Sequence, residues 1–459
     1  MHWVDYLVIG LLVIFFLFII LLTFCLLKTI FIRNKDIRIL KQDRGDQELL
    51  DKHAKNLFEL VNIKTTSYET GETYHIFREK VKEMFPLVHQ YFNKEKLAGN
   101  AIFTYKSSSK ERSKVLFVTH IDTVKEFKDA YITEDEIYGS GTFDSKALFY
   151  SLFQAVEEHL QEYKKIDFDL TIVMTVDDIS TKQGNELIVN KFLKQGAFFK
   201  LVLEEGIGII DPTFLGMKSN FALIGVGVTG EVIIRYKAKK AQGRQNLEAF
   251  IAEVHNGNLF KSKIDKESIK VLNAFAKDMP FVYRLLFSNI WLFRPIVKSI
   301  IDNDQTEISR LLKTHVLYSA YQEDDDYYFI DLTFELATHD TAAEIVGIIA
   351  PLVKQYGIEH HLVSLKDPSK MTSQHTEGYQ IVKNAINNTY HDLYIAPYII
   401  TKIAEQRYLS RVSDCVIRFS PLYYPFSALH DCQEGNEYIM KKSIKFGIDF
   451  YKEILRNYR

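Results

Sequence analysis

The sequence predicts an α/β protein on a mostly parallel sheet, interrupted by an inserted α+β lid domain and preceded by one transmembrane helix. Three observations predict it. An uncharged apolar run opens the chain. Short apolar strand-like runs then alternate with helical ones, the pattern of an α/β fold. A stretch with the character of paired strands separates two such series.

Residues 7–27 read LVIGLLVIFFLFIILLTFCLL, without a single charge. About 20 apolar residues are what a helix needs to cross the bilayer's hydrocarbon. A cleaved signal peptide would carry a basic leader and a small-residue cleavage site. Here MHWVDY has neither Lys nor Arg, and the run ends Phe24-Cys25-Leu26-Leu27-Lys28. A retained single-span anchor is therefore expected, with the lipid bilayer as partner. Residues 28–45 form a basic linker containing Lys28, Arg33, Lys35, Arg38, Lys41 and Arg44. The positive-inside rule then puts the body in the cytoplasm.

Residues 46–221 and 357–459 are expected to make one catalytic-type domain, and residues 222–356 the lid. Residues 114–119 (KVLFVT), 170–176 (LTIVMTV) and 201–203 (LVL) read as buried strands of a parallel sheet. Residues 145–163 have helical spacing. In the lid, 222–238 read as paired strands, 245–254 as a helix, 330–336 as a strand and 341–356 as a helix. Residues 378–386 and 439–455 are helices returning to the main sheet.

The composition narrows the function classes. With 57 basic and 59 acidic residues the net charge is −2, so no basic field recruits nucleic acid. Three cysteines, one of them Cys25 in the apolar run, make no disulfide framework.

Three of the expected strands end in residues of metal-ligand type. The first leads to His120 and Asp122, the second to Asp177 and Asp178, the third to Glu204 and Glu205. Asp144 opens the intervening helix. Sites in open α/β sheets form beyond the carboxyl ends of strands, so these groups converge without special bending of the chain. A mixed histidine and carboxylate set suits zinc. Each piece alone also has a plain structural reading: a turn at Asp177-Asp178, a helix cap at Asp144, a solvated edge at Glu204-Glu205.

The chain resembles the di-zinc metallopeptidases of the aminoacylase and carboxypeptidase S type. Within them it is most similar to the branch of carboxypeptidase S and the N-fatty-acyl-amino-acid synthase/hydrolase. The resemblance rests on residues 115–124 (VLFVTHIDTV), 137–146 (IYGSGTFDSK) and 287–295 (FSNIWLFRP). It rests further on Arg418-Phe419-Ser420-Pro421 followed by Ala428-Leu429-His430. It implies two zinc ions, one held by His120 and Glu204, the other by Asp178 and His430, with Asp144 bridging. It implies that Asp122 fixes the tautomer of His120, that Asp177 is the general base, and that Arg407 binds the substrate's carboxylate. The implied substrate is a small molecule, a dipeptide or an N-acyl amino acid.

Two departures accompany the resemblance. The family usually has Glu-Glu where this chain has Asp177-Asp178, and Asp is shorter by one C–C bond, about 1.5 Å. The lid's Gly-His-Ser-Ser-x-Pro segment is replaced by residues 237–243 (KAKKAQG). An active membrane-anchored amidohydrolase is the first reading. A membrane-tethered pseudo-enzyme acting as a binding or scaffold protein is the second.

Overall fold

The structure is a computed structural model describing residues 3–32, 46–66, 71–109, 113–123, 129–176, 184–211, 219–242, 244–256, 259–303, 307–390, 393–401, 405–425 and 436–458. The uncharged N-terminal run lies within the helix Trp3–Phe31, which is long and apolar enough to cross a membrane.

The main sheet has ten strands. Its path runs Asn93–Leu97, Asn100–Tyr105, Asp169–Thr175, Lys114–His120, Leu201–Glu204, Val416–Arg418, Phe221–Val228, Gly208–Ile210 and Tyr423–Tyr424, with Tyr394–Ile400 also paired to Phe221–Val228. From Asp169–Thr175 to Val416–Arg418 neighbouring strands are parallel. Beyond them, antiparallel pairs bring in Asn100–Tyr105 on one side and Phe221–Val228 on the other. The sheet is mixed around a parallel block, within the α/β class expected from the sequence.

Both faces of the parallel block are covered, which explains why its strands read as unbroken apolar runs. Val115 and Phe117 enter one core, while Leu116 and Val118 enter the other. The larger core is closed by helices Gln47–Val61, Lys146–Tyr163, Glu377–Thr389 and Lys441–Asn457. The smaller lies under helix Gly184–Lys194 and the short 3-10 helix Glu405–Arg411.

A second, antiparallel sheet is made by His315–Tyr318, Tyr327–Leu336, Gly230–Lys239 and Glu359–Lys366, with Gln322–Glu323 on Tyr327–Leu336. Its apolar positions alternate: Val232, Ile234, Tyr236 and Ala238 pack with Ile330, Leu332, Phe334 and Leu336 under helices Gln245–Asn256 and Ala342–Gln355. One covered face and one solvated face suit an antiparallel sheet.

The run expected to form paired lid strands, residues 222–238, is split between the two sheets. Phe221–Val228 joins the main sheet, and Gly230–Lys239 opens the second. The chain crosses over at Gly230, where a Cβ would lie 2.6 Å from the Lys366 carbonyl oxygen and from Pro368 Cδ. Outgoing and returning chains touch there, so only glycine fits. Helices Lys266–Ala276, Phe281–Ser288, Ile290–Asn303 and Glu307–Leu312 form a further block. They pack on Phe221, Leu223, Tyr394 and Ala396 of the main sheet. The sequence reading did not anticipate this block.

Strands Leu201–Glu204 and Val416–Arg418 are parallel, with Glu204 opposite Arg418. Both side chains are buried, and Arg418 Nε lies 2.5 Å from Glu204 Oε1. Burial pushes the guanidinium pKa down, and Glu204 opposes that shift. Breaking a buried pair leaves a charge uncompensated, whereas replacing both partners by apolar groups is often neutral. Arg418→Ala is therefore expected to lower stability by about 3–5 kcal/mol. Glu204→Leu combined with Arg418→Met is expected to be far milder. Urea unfolding of the full chain in detergent micelles compares the two.

Candidate metal centre

His120 is the last residue of its strand, where the backbone stops pairing and the side chain can face out of the sheet's end. Its Nε2 lies 2.7 Å from Asp144 Oδ1 and 3.2 Å from Glu205 Oε2. One ligand-type atom from each of the three lies within 4.8 Å of the others. On the far side of the ring, Nδ1 lies 3.2 Å from both the carboxylate and the carbonyl oxygen of Asp122, which is fully buried. An Nδ1–H held by Asp122 leaves the Nε2 lone pair aimed at the carboxylates, the arrangement of a metal-binding imidazole.

The electrostatics show what the cluster lacks. Burial opposes charge on His120, but Asp144, Glu205 and Asp122 outweigh it and hold the imidazolium well above its ordinary pKa. Burial and the neighbouring Asp144 charge push Glu205 up. Desolvation also acts on Asp144, yet the His120 charge holds it below the carboxylate range. Two carboxylates and an imidazole thus crowd one point. One imidazole nitrogen and two carboxylate oxygens fit a divalent cation of zinc type, which would ionise both carboxylates and free the imidazole.

Asp144 is presented by a tight loop before helix Lys146–Tyr163. Glu437 lies beneath it, buried, and its Oε2 accepts from the backbone N–H groups of Gly141 (2.8 Å), Phe143 (3.2 Å) and Asp144 (3.4 Å). Its carbonyl oxygen also accepts from Gly139 N–H. Burial, with Asp144 beside it, pushes the Glu437 carboxyl up to about 7. From above, the Tyr424 hydroxyl donates to the Phe143 carbonyl oxygen. Lys146 is also buried, donating 2.6 Å to the Ile63 carbonyl oxygen and 3.3 Å to that of Leu60, which ties the loop to the end of helix Gln47–Val61. Ser145 and Thr119 hydroxyls, 3.2 Å apart, link the loop to the His120 strand.

The structure thus brings together His120, Asp122 and Asp144 of the residues singled out by sequence. Glu204, expected as a ligand, is not in the cluster, and its neighbour Glu205 is. Successive strand residues point to opposite sides. Glu204 shares the side of Val202 and meets Arg418 there, so Glu205 turns to the cluster as the strand ends. Gly206 follows because a Cβ there would sit 2.4 Å from the Arg418 carbonyl group. Asp177, Asp178 and His430 lie outside the described residues. Arg407 falls on the 3-10 helix Glu405–Arg411, and its side chain is likewise outside the description. Lys239 and Lys240, on the lid, lie beside Glu359 and Glu323. Glu437 was missed by sequence reasoning: it lies nearly 300 residues beyond the loop it holds, on no recognisable spacing.

Comparison with known proteins gives the family and the fold. The model of the family described as Peptidase family M20/M25/M40 matches residues 116–457. The N-fatty-acyl-amino acid synthase/hydrolase PM20D1 of Xenopus tropicalis is 23% identical over 455 residues, covering 89% of this chain and 87% of that protein. The probable carboxypeptidase S-like 2 of Dictyostelium discoideum is 22% identical over 439 residues, covering 88% and 84%. The crystal structure of an M20 family metallo-carboxypeptidase from Sulfolobus solfataricus shares the fold, with a TM-score of 0.61 at 15% identity over 88% of this chain and 99% of that one. The family match spans most of the chain and includes the strand that carries His120. The chain belongs to peptidase family M20/M25/M40.

Proposed function

We propose that this protein is a membrane-anchored, di-zinc hydrolase of amide bonds to a free amino acid, acting on N-acyl amino acids, N-fatty-acyl ones in particular, or on dipeptides. Its membership of a peptidase family makes it an amide-bond hydrolase. The observation that carries the finer reading is the meeting of His120, Asp144 and Glu205 at the end of the parallel block, with Asp122 behind the imidazole. The Xenopus relative, an N-fatty-acyl-amino acid synthase/hydrolase by name, supports the substrate class.

On this reading His120 and Glu205 would hold one zinc and Asp178 and His430 the other, with Asp144 shared between the two sets. Glu205 takes the place expected of Glu204. Zinc there supplies a water of lowered pKa and a positive charge for the substrate's carbonyl oxygen. Asp177 accepts the proton from the attacking water on its carboxylate and returns it to the leaving amine. Asp122 keeps the proton of His120 on Nδ1 throughout. Arg407 pairs its guanidinium fork with the free carboxylate of the amino-acid product.

The anchor reading of residues 7–27 is supported by the packing of the helix's last turns. A leader destined for removal has no need of buried contacts with the body. Yet Cys25 and Thr29 are fully buried, and the Asn289 side chain donates to the Cys25 carbonyl oxygen and the Thr29 hydroxyl. The basic residues after Leu27 favour a cytoplasmic body.

Elemental mass spectrometry of the full chain in detergent, after loosely bound metal is removed, is expected to find about two zinc ions per chain. Zinc content should fall in His120→Ala and in Glu205→Ala. Glu204→Gln should keep it, because that side chain faces Arg418. A chain without zinc would turn the reading to the tethered pseudo-enzyme.

Asp177→Asn is expected to lower kcat by about 100-fold or more while leaving zinc content unchanged. The rate is read as free amino acid released from N-acyl amino acids of graded chain length and from dipeptides. A full rate in that variant would remove Asp177 from the role of base.

A further inference from the structure

The helix pair Phe281–Ser288 and Ile290–Asn303 is apolar on both sides. Inward, Phe287, Ile290, Val297 and Ile301 are buried in the cluster that seats the block on the main sheet. Outward, Val282, Tyr283, Trp291, Leu292, Ile296 and Ile300 are between 36% and 64% exposed. Leu292, Ile296 and Ile300 recur every four residues and so form one stripe along the second helix. A helix surrounded by apolar side chains belongs in a core or against lipid, and contiguous exposed patches of this kind mark interaction surfaces.

The N-terminal helix says which surface. It meets the body at the joint of this pair: the Thr29 and Ser288 hydroxyls are 3.3 Å apart, and Asn289 Nδ2 lies 3.0 Å from Thr29 Oγ1. The Phe24 ring packs edge-on to Trp291 with centroids 6.5 Å apart. At ~1.5 Å per residue the uncharged run 7–27 is about 31 Å long, close to the thickness of the hydrocarbon. Phe24 lies three residues from its end, and Trp291 beside it therefore lies about 5 Å inside the apolar boundary. Tyr283 and Trp291 are the residue types that favour this depth.

Charge points the same way. From Phe281 to Asn303 the pair carries Arg284, Arg294 and Lys298 against a single acidic residue, Asp302, whose carboxylate accepts from the Ser262 backbone N–H on the body side. Basic residues among large apolar ones are the composition of helices that lie in the interface of anionic membranes.

We propose that the helix pair 281–303 is a second, non-spanning membrane contact, its outward face seated in the headgroup and upper acyl region of the leaflet from which the N-terminal helix emerges. This rests on the anchor reading of residues 7–27. The body is then held against the bilayer at two points. The same helical block packs against Ile207, two residues after Glu205, so the membrane-facing element and the candidate centre share one rigid support.

Trp3 and Trp291 are the only tryptophans, so Trp3→Phe leaves Trp291 as the sole indole. The test is its fluorescence in the full chain, reconstituted in phosphatidylcholine–phosphatidylserine vesicles whose acyl chains carry bromine in their upper half, compared with quenching by aqueous iodide. The expected result is a loss of about half the emission or more to bromolipid, with little lost to iodide. Quenching by iodide and not by bromolipid would overturn the proposal. Protection from both would also overturn it, in favour of a protein partner or a second copy. An alkaline carbonate wash of the same vesicles reads the anchor separately. A chain that resists the wash with Trp291 open to iodide keeps its anchor and loses the helix-pair contact. A chain extracted by the wash loses the anchor, and quenching by bromolipid before the wash still upholds the contact.

Discussion

The alignment of three parallel strands, with Lys114–His120 between Asp169–Thr175 and Leu201–Glu204, is the constraint on which the rest of the site depends. Because all three run the same way, their carboxyl ends lie at one edge, and there His120 at the end of the first meets Glu205 just past the third. The alignment is secured by burial on both faces and, at the third strand, by the Glu204–Arg418 pair. That pair also determines which of two adjacent glutamates is available. A strand cannot point neighbouring side chains the same way. Committing Glu204 to Arg418 commits Glu205 to the cluster.

The cluster itself is an electrostatic load that the surrounding structure carries. Asp144 and Glu205 stand close together beside a buried imidazole, and Glu437 adds a third carboxyl beneath the loop. Carboxylates gathered this way repel one another as they ionise. The loop keeps its shape because its N–H groups converge on Glu437, and because Tyr424 and Lys146 tie it to other elements. A cation at the centre would relieve that repulsion. That is the physical case for a metal, independent of any relative.

The helical block between the second sheet's strands gives the molecule a second side. It packs on the far part of the main sheet through Phe221, Leu223, Tyr394 and Ala396 and receives the end of the N-terminal helix.

The sequence by itself determined the α/β class, the apolar N-terminal helix, the placement of His120 and Asp122 at a strand's end and that of Asp144 just before a helix. These follow from local pattern, because apolar periodicity and strand termini are written within a few residues. Tertiary structure alone decided the choice of Glu205 over Glu204, since only Arg418, more than 200 residues away, takes one of the two into the core. It alone divided residues 222–238 between two sheets, because the crossing at Gly230 depends on the returning chain at Lys366 and Pro368. It alone revealed Glu437 under the Asp144 loop and the outward face of residues 281–303. Each of these depends on which distant segments pack together, and an apolar run reads the same in a sequence whether a core or a membrane covers it.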